Sequence, residues 1–198
     1  MKVVTQYLVY VKKKIILASS SPRRREILTK MGLEFEIIPS DYEEVFENFE
    51  FSYEKIEELA YNKAKAVADK TSEASLILGA DTVVVLNQKI LGKPKDECDA
   101  TEMLRSLSGN KHSVVTSICI VDSESSQEKI LSTTSFVEFN ILSEDLIKGY
   151  IKNYKPFDKA GSYGIQELPD GFIAEIEGSL ENIIGLCPIA VNKLLSAF

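Results

Sequence analysis

Residues 14–17, KIIL, form a short apolar run of strand length. They lead directly into SSSPRRREIL, where apolar positions return at helical spacing. Ser21 suits the N-cap of that helix and Pro22 its first position, where a missing N–H costs nothing. The helix is predicted to stop at Gly32, and residues 33–39, LEFEIIP, read as a strand closed by proline. Residues 53–70 carry an apolar stripe of Ile56, Leu59, Ala60, Ala64 and Val67, with Ser52 as N-cap. Stepping 56, 60, 63, 67 puts Lys63 on that inward face, whereas Lys55, Lys65 and Lys70 fall toward water. A lysine so placed either snorkels past the stripe or has a fixed anionic partner.

The runs 76–78 and 82–86 are rich in β-formers, and Asn87-Gln88 between Leu86 and Lys89 makes a two-residue hairpin turn. In that register Thr82 faces Lys93 and Asp81 faces Pro94, which gathers a carboxylate, a hydroxyl and an ammonium at the hairpin's end. A plain strand-end pairing of Asp81 with Lys93 is the other reading. Residues 96–107 predict a helix with Ala100, Met103, Leu104 and Leu107 inward and Gly109 at its exit. Two longer strands, 113–121 and 129–141, follow around the polar turn DSESSQE. Ser143 then caps a helix reaching Ile151. The segment FIAEIEGSLENIIGLCP predicts a strand, a polar loop containing Asn182, and Pro188 opening a last helix through Leu195. These elements are expected to build an α/β fold: a twisted mixed β-sheet flanked by helices, with two lobes around a deep cleft.

At 198 residues the chain is expected to form one domain over residues 13–198. Residues 1–12 are read as an N-terminal extension, an extra edge strand or a loosely held segment. The net charge of −7 disfavours a nucleic-acid polymer as partner and makes any positive site local, which suits a small polyanion. Cys98, Cys119 and Cys187 are odd in number, widely spaced and without a C-x-x-C, so a reducing cytoplasmic location fits best and a zinc site or disulfide framework does not. His112 is the single histidine, which leaves little for His-dependent chemistry. No stretch approaches 18 uninterrupted apolar residues, and MKVVTQYLVYV lacks a cleavage site, so neither a membrane span nor a signal peptide is predicted.

Three stretches carry candidate chemistry. In SSSPRRR a helix N-terminus, with its unpaired N–H groups and positive dipole end, is joined by three hydroxyls and three guanidinium groups, an arrangement suited to phosphates. It is neither a P-loop nor a dinucleotide turn, and many such turns only cap a helix. The second stretch is SLILGADTVVVLNQKILGKP, containing Asp81, Thr82 and Lys93. The third is DKAGSYGIQ, residues 158–166, where Gly161 and Gly164 permit close backbone approach, Lys159 adds charge, and Gln166 offers a donor and an acceptor on one planar amide. The acidic loop 40–50 adds carboxylates that suit a hard cation arriving with a polyphosphate, though such loops are commonly just solvated.

In this order, the motifs SSSPRR (19–24), the NKA containing Lys63, GADTVV (79–84), GKP (92–94), LSG (107–109), DKAGSYGIQ (158–166) and the GS…N…G of 178–185 resemble the Maf family of nucleoside triphosphate pyrophosphatases. The resemblance spans about residues 13–198. It implies a Maf/ITPase-like fold and cleavage of nucleoside triphosphates to monophosphate and pyrophosphate, with removal of non-standard nucleotides as a further role. It casts Asp81 as the proton acceptor, Arg23, Thr82 and Gln166 as determinants of substrate choice, and Arg24, Glu44, Lys63 and Lys93 as polar residues of the cleft where the triphosphate and a cation sit. Ser19 and Ser21 of the turn before the first helix add phosphate-binding donors on the residues' own account. Asp81 can act as that base or hold a divalent cation, Mg²⁺ or Mn²⁺, that acidifies the water, and Glu44 is the second carboxylate for the cation. Thr82 with Gly164-Ile165-Gln166 resembles the branch acting on dTTP and UTP. A homodimer with a nucleotide as its small-molecule partner is also implied. Two departures stand out: Glu167 follows Gln166 where the family usually has Gly, and Cys187 is inserted into the usual Gly-Leu-Pro. A nucleotide-sensing regulator would need the phosphate cradle without a competent Asp81. A phosphoryl-transfer enzyme should show a kinase or P-loop motif, which is lacking.

Overall fold

In the computed structural model of the chain, which describes residues 13–43 and 49–198, a seven-stranded sheet runs β2-β1-β3-β5-β6-β7, with β4 added to β3. Strand β1 (Lys14–Leu17) lies parallel to both β2 (Phe35–Ile37) and β3 (Ser75–Leu86), while β4 (Lys89–Leu91), β5 (Lys111–Asp122), β6 (Glu128–Phe139) and β7 (Ile173–Glu177) pair antiparallel. The helices are α1 (Pro22–Lys30), α2 (Tyr53–Ala68), α3 (Glu97–Leu107), α4 (Glu144–Tyr154), α5 (Leu180–Ile184) and α6 (Pro188–Leu195). The mixed sheet flanked by helices is the architecture that the patterning predicts. Residues 1–12, Glu44 and the rest of 44–48 lie outside the described residues, so the extension and the acidic carboxylate at 44 have no placement here.

The sequence builds these elements by local means. Ser21, Ser52, Asp96 and Ser143 each cap a helix, their side-chain oxygens accepting the N–H of Arg24, Lys55, Asp99 and Leu146. Asn87 and Gln88 both adopt positive φ, 50° and 63°, the turn that a right-handed twisted hairpin needs. The runs 76–78 and 82–86 prove to be one strand, because Gly79-Ala80-Asp81 between them continues the ladder with Cys119, Ile118 and Ser117 of β5.

Strand β3 positions the site. Its β5-side edge is fully paired from Leu76 to Val85. On the other edge β1 pairs only as far as Leu78, and β4 begins only at Val84. Residues 79–83 therefore face a gap between two strands that share one edge. The hairpin register is the predicted one, yet the ladder stops at Val84↔Leu91 and never places Thr82 opposite Lys93. The physical reason is a competing partner: the Gly92 carbonyl accepts the N–H of Gly161 at 3.0 Å, which turns the chain away from β3.

Alternation along β3 then divides the core. Ile77, Val83 and Val85 point to α2, whereas Leu76, Leu78 and Ala80 pack with α1 and α6, and Val84 packs with α3 and α4. On this second face the two clusters meet at Thr82, which is the seam between the lobes. Buried Phe139, Tyr150 and Phe172 fill the lobe under α3 and α4. Asn182, expected in a loop, sits in α5, whose N-cap Ser179 accepts its backbone N–H. A helix of five residues is too short to show a period in the sequence.

Candidate functional site

The gap beside β3 opens into a cleft of about 420 Å³. Its walls come from the turn into α1, from Lys63 and Asp81 on the α2 side, from Lys93 after β4, and from the 158–166 segment. Ser19, Ser21, Arg23, Arg24, Thr82 and Gln166 line the same space, so every sequence-derived candidate within the described residues converges on one cleft.

At the α1 turn, Ser21 N–H donates to Ser19 Oγ at 3.2 Å. Arg24 donates from Nη1 to Ser19 Oγ at 3.2 Å, from Nη2 to Thr82 Oγ1 at 3.1 Å, and from Nε to the Gly185 carbonyl at 3.0 Å. Its planar fork is thus held by three separate elements, and its charge is fixed in direction. Arg23 is directed elsewhere: its Nη1 lies 3.8 Å from Asp158 Oδ2, across the mouth of the cleft.

Lys63 and Asp81 form an ion pair, with side-chain exposures of only 12% and 6%. The inward lysine therefore has a fixed anionic partner, which decides between the two readings of its position. It also replaces the plain pairing of Asp81 with Lys93, since Lys93 is exposed and beyond the end of the ladder. The pair reaches the cleft because Asp81 lies in the stretch of β3 edge that, among the described residues, no strand covers.

The 158–166 segment is anchored from behind. Gly161 adopts φ 65°, and a Cβ there would lie 2.9 Å from Val84, so the loop rests directly on β3. Gly164 N–H donates to the Tyr150 hydroxyl at 3.0 Å, and the Tyr163 hydroxyl lies 2.7 Å from His112 Nε2. His112, buried at the start of β5, thereby serves as a loop anchor, and burial pushes its pKa down to about 4. Burial likewise pushes the Tyr150 hydroxyl up to about 12. Lys159, 8% exposed, ion-pairs with Asp158 at 2.8 Å and Glu167 at 3.2 Å. Burial acts to raise the Asp158 carboxyl, but the hydrogen bond and charge of Lys159, with Arg23, hold it below the usual carboxylate range. Gln166, on a 3₁₀ turn (Ile165–Glu167), is exposed toward the cleft.

Three participants escape the sequence pattern: Asp158 as the partner of Arg23, the Gly185 carbonyl as an acceptor for Arg24, and Thr116 behind Thr82. All are contacts between distant segments, for which periodicity carries no signal.

A mixed α/β sheet whose strand-edge gap is framed by a helix N-terminus, fixed cations and one buried carboxylate defines a protein built to receive a small polyanion. The chain belongs to the Maf-like protein family, whose profile matches residues 14–198. It is 50% identical over 173 residues to a dTTP/UTP pyrophosphatase of Ruminiclostridium cellulolyticum, covering 87% of this chain and 89% of that protein. It is 41% identical over 186 residues to a dTTP/UTP pyrophosphatase of Clostridium novyi, covering 93% and 96%. Among solved structures, a HAM1 protein from Coxiella burnetii is 20% identical, with a TM-score of 0.46 over 64% of this chain and 73% of that one.

Proposed function

We propose that the protein is a nucleoside triphosphate pyrophosphatase that hydrolyses dTTP and UTP to the monophosphate and pyrophosphate. The observation that carries the reading is the Lys63–Asp81 pair facing the tied-down Arg24 and the α1 N-terminus across one cleft. Two relatives named dTTP/UTP pyrophosphatase, 50% and 41% identical over most of the chain, support it.

In this mechanism water attacks the α-phosphorus, its proton passes to Asp81, and the α–β bridging oxygen leaves with pyrophosphate. The work is mostly positioning and charge stabilisation. Arg24, Lys63 and Lys93 with the Ser19–Ser21 turn hold the phosphates, and each well-aimed donor is worth about 3 kcal/mol in the transition state once water is excluded. Arg23, Thr82 and Gln166 fix the nucleotide so that its base meets the 158–166 segment.

Among the described residues no group of three or more His, Cys, Asp or Glu stands together. A hard cation that arrives on a triphosphate needs only one or two protein carboxylates, and Asp81 in the cleft wall fits that requirement, with Glu44 as the proposed second. Mg²⁺ or Mn²⁺ so held would offset phosphate charge and acidify the attacking water.

The same reading makes the protein a cytoplasmic homodimer that also removes non-standard nucleotides. Among the described residues no helix is long and apolar enough to cross a membrane. The test is product analysis with dTTP, with and without divalent cation. Monophosphate and pyrophosphate in equal amounts, abolished by excess EDTA, are expected. Orthophosphate as the direct product contradicts the reading, and nucleotide binding without turnover favours a nucleotide-sensing regulator.

A further inference from the structure

Thr116 does not line the cleft, yet its hydroxyl ends a chain of hydrogen bonds that begins at Arg24. It lies opposite Thr82 in the β3–β5 ladder and is fully buried. Its Oγ1 lies 2.9 Å from Thr82 Oγ1 and donates to the Asn182 carbonyl, also at 2.9 Å. Proton bookkeeping gives this chain a direction. A guanidinium only donates, so Thr82 Oγ1 accepts from Arg24 and has one proton of its own to place. Two acceptors are in range: Thr116 Oγ1 at 2.9 Å, and the Gly185 carbonyl at 3.5 Å, which already accepts Arg24 Nε. Because the single Thr116 proton is committed to Asn182, the Thr116 oxygen is available to accept. The relay therefore runs from Arg24 through Thr82 and Thr116 to the carbonyl of Asn182, each bond polarising the next.

The far end of the relay is rigid. Asn182 is fully buried, and its Nδ2 donates to the Val114 carbonyl at 3.0 Å and to Ser135 Oγ at 3.1 Å. Helix α5 is thereby pinned to β5 and β6. Arg24 reaches that helix twice, directly through the carbonyl of its C-cap Gly185 and indirectly through two threonines.

We propose that Thr116 is a positioning residue: by taking the Thr82 proton it orients the Thr82 hydroxyl with a lone pair toward Arg24 and fixes the direction in which the Arg24 guanidinium presents its charge to the phosphates. Without the Thr116 hydroxyl, the Thr82 proton turns to the Gly185 carbonyl, which Arg24 Nε also uses, and the Thr82 lone pairs rotate away from Arg24 Nη2. The inference rests on Arg24 being a phosphate-binding group.

Two variants separate the relay from packing. Thr116→Val keeps the branched shape and removes the hydroxyl, whereas Thr116→Ser keeps the hydroxyl and removes a methyl. The Nε–H resonance of Arg24, assigned by its loss in Arg24→Lys, reports the pose without any ligand, and kcat/KM for dTTP reports its consequence. In Thr116→Val the resonance is expected to move and kcat/KM to fall about tenfold, the size of one lost hydrogen bond. Thr116→Ser should return both to near the parent, even with the lower melting temperature that a lost buried methyl brings. An Arg24 resonance unmoved in Thr116→Val, an unchanged kcat/KM there, or a Thr116→Ser protein as impaired as Thr116→Val overturns the assignment. A parent that does not turn over dTTP refutes the proposed function instead, and the resonance still decides the relay.

Discussion

Lys63 of α2 and Asp81 of β3 form an ion pair because Gly79, on the same face of β3 as Asp81, lets the helix backbone descend onto the strand. A Cβ at Gly79 would lie 2.3 Å from the Ala60 carbonyl oxygen and 2.6 Å from the Ala64 nitrogen, both backbone atoms. Gly79→Ala must therefore push α2 away from β3. The expected cost is about 3 kcal/mol, or roughly 10 °C in melting temperature for a chain of this size. Gly149→Ala, in α4 with open space at its Cβ, is the control and should hold or slightly raise stability. Calorimetric melting of the two variants checks the contrast, and a Gly79→Ala protein as stable as the parent would show that α2 is not held this close.

The two partners in that pair should fail differently. Asp81→Asn keeps the shape and removes the proton acceptor, so turnover should drop at least about a hundredfold while nucleotide still binds. Lys63→Ala removes charge that serves ground state and transition state alike, so KM should rise as well. It also leaves the largely buried Asp81 without this counter-charge, which lowers stability. Steady-state kinetics and melting of both variants test this together. Parent-like turnover in Asp81→Asn removes it from the chemistry.

How much of this was legible depends on the range of each interaction. Ser21, Ser52, Asp96 and Ser143 reach backbone N–H groups three residues on, so composition and spacing reveal them. The inward position of Lys63 follows from helical period, but its partner depends on which strand the helix covers, and that is decided by a glycine whose role shows only in three dimensions. The hairpin register follows from Asn87-Gln88, whereas the point at which pairing stops is set by Gly161, far along the chain, capturing the Gly92 carbonyl. Thr116 looks like any other polar residue inside a β-rich run, and only the ladder shows that it stands opposite Thr82.

Acid should weaken the molecule through its one histidine. His112 is buried and neutral, with its pKa pushed down to about 4 by burial, against an ordinary value of 6.5. The unfolded chain therefore takes up a proton that the folded state refuses, and the resulting stability is complete above about pH 6.5. It is lost as pH falls from there toward 4, by about 3 kcal/mol in all. Since no other histidine is present, the C2–H resonance of His112 is unambiguous. It should stay fixed between pH 7 and 5 while the urea midpoint declines. A resonance that titrates near pH 6.5 would mean that the Tyr163 anchor does not shield the ring.

Base choice should be set by the Gln166 amide. Uracil and thymine share an edge on which a ring N–H lies between two carbonyls, and one planar amide can read that edge as donor and acceptor together. Gln166 offers such an amide on a turn held from behind by Tyr163 on His112, by Gly164 on Tyr150, and by Glu167 on Lys159. Cytosine presents an amine and an unprotonated ring nitrogen at the matching atoms, so it would leave polar groups unpaired against the same amide. Because the turn is anchored at three points, its backbone cannot follow a mismatched base, which is then met only by turning the amide over. We therefore expect kcat/KM for dTTP and UTP to exceed that for CTP and 7-methyl-GTP by about ten- to a hundredfold. Gln166→Glu, which removes the donor, should erase most of that preference. Unchanged selectivity in Gln166→Glu would move the determinant to Glu167. That side chain lies beside Gln166 and ion-pairs with the buried Lys159, so Glu167→Gln is then the variant that must alter base choice.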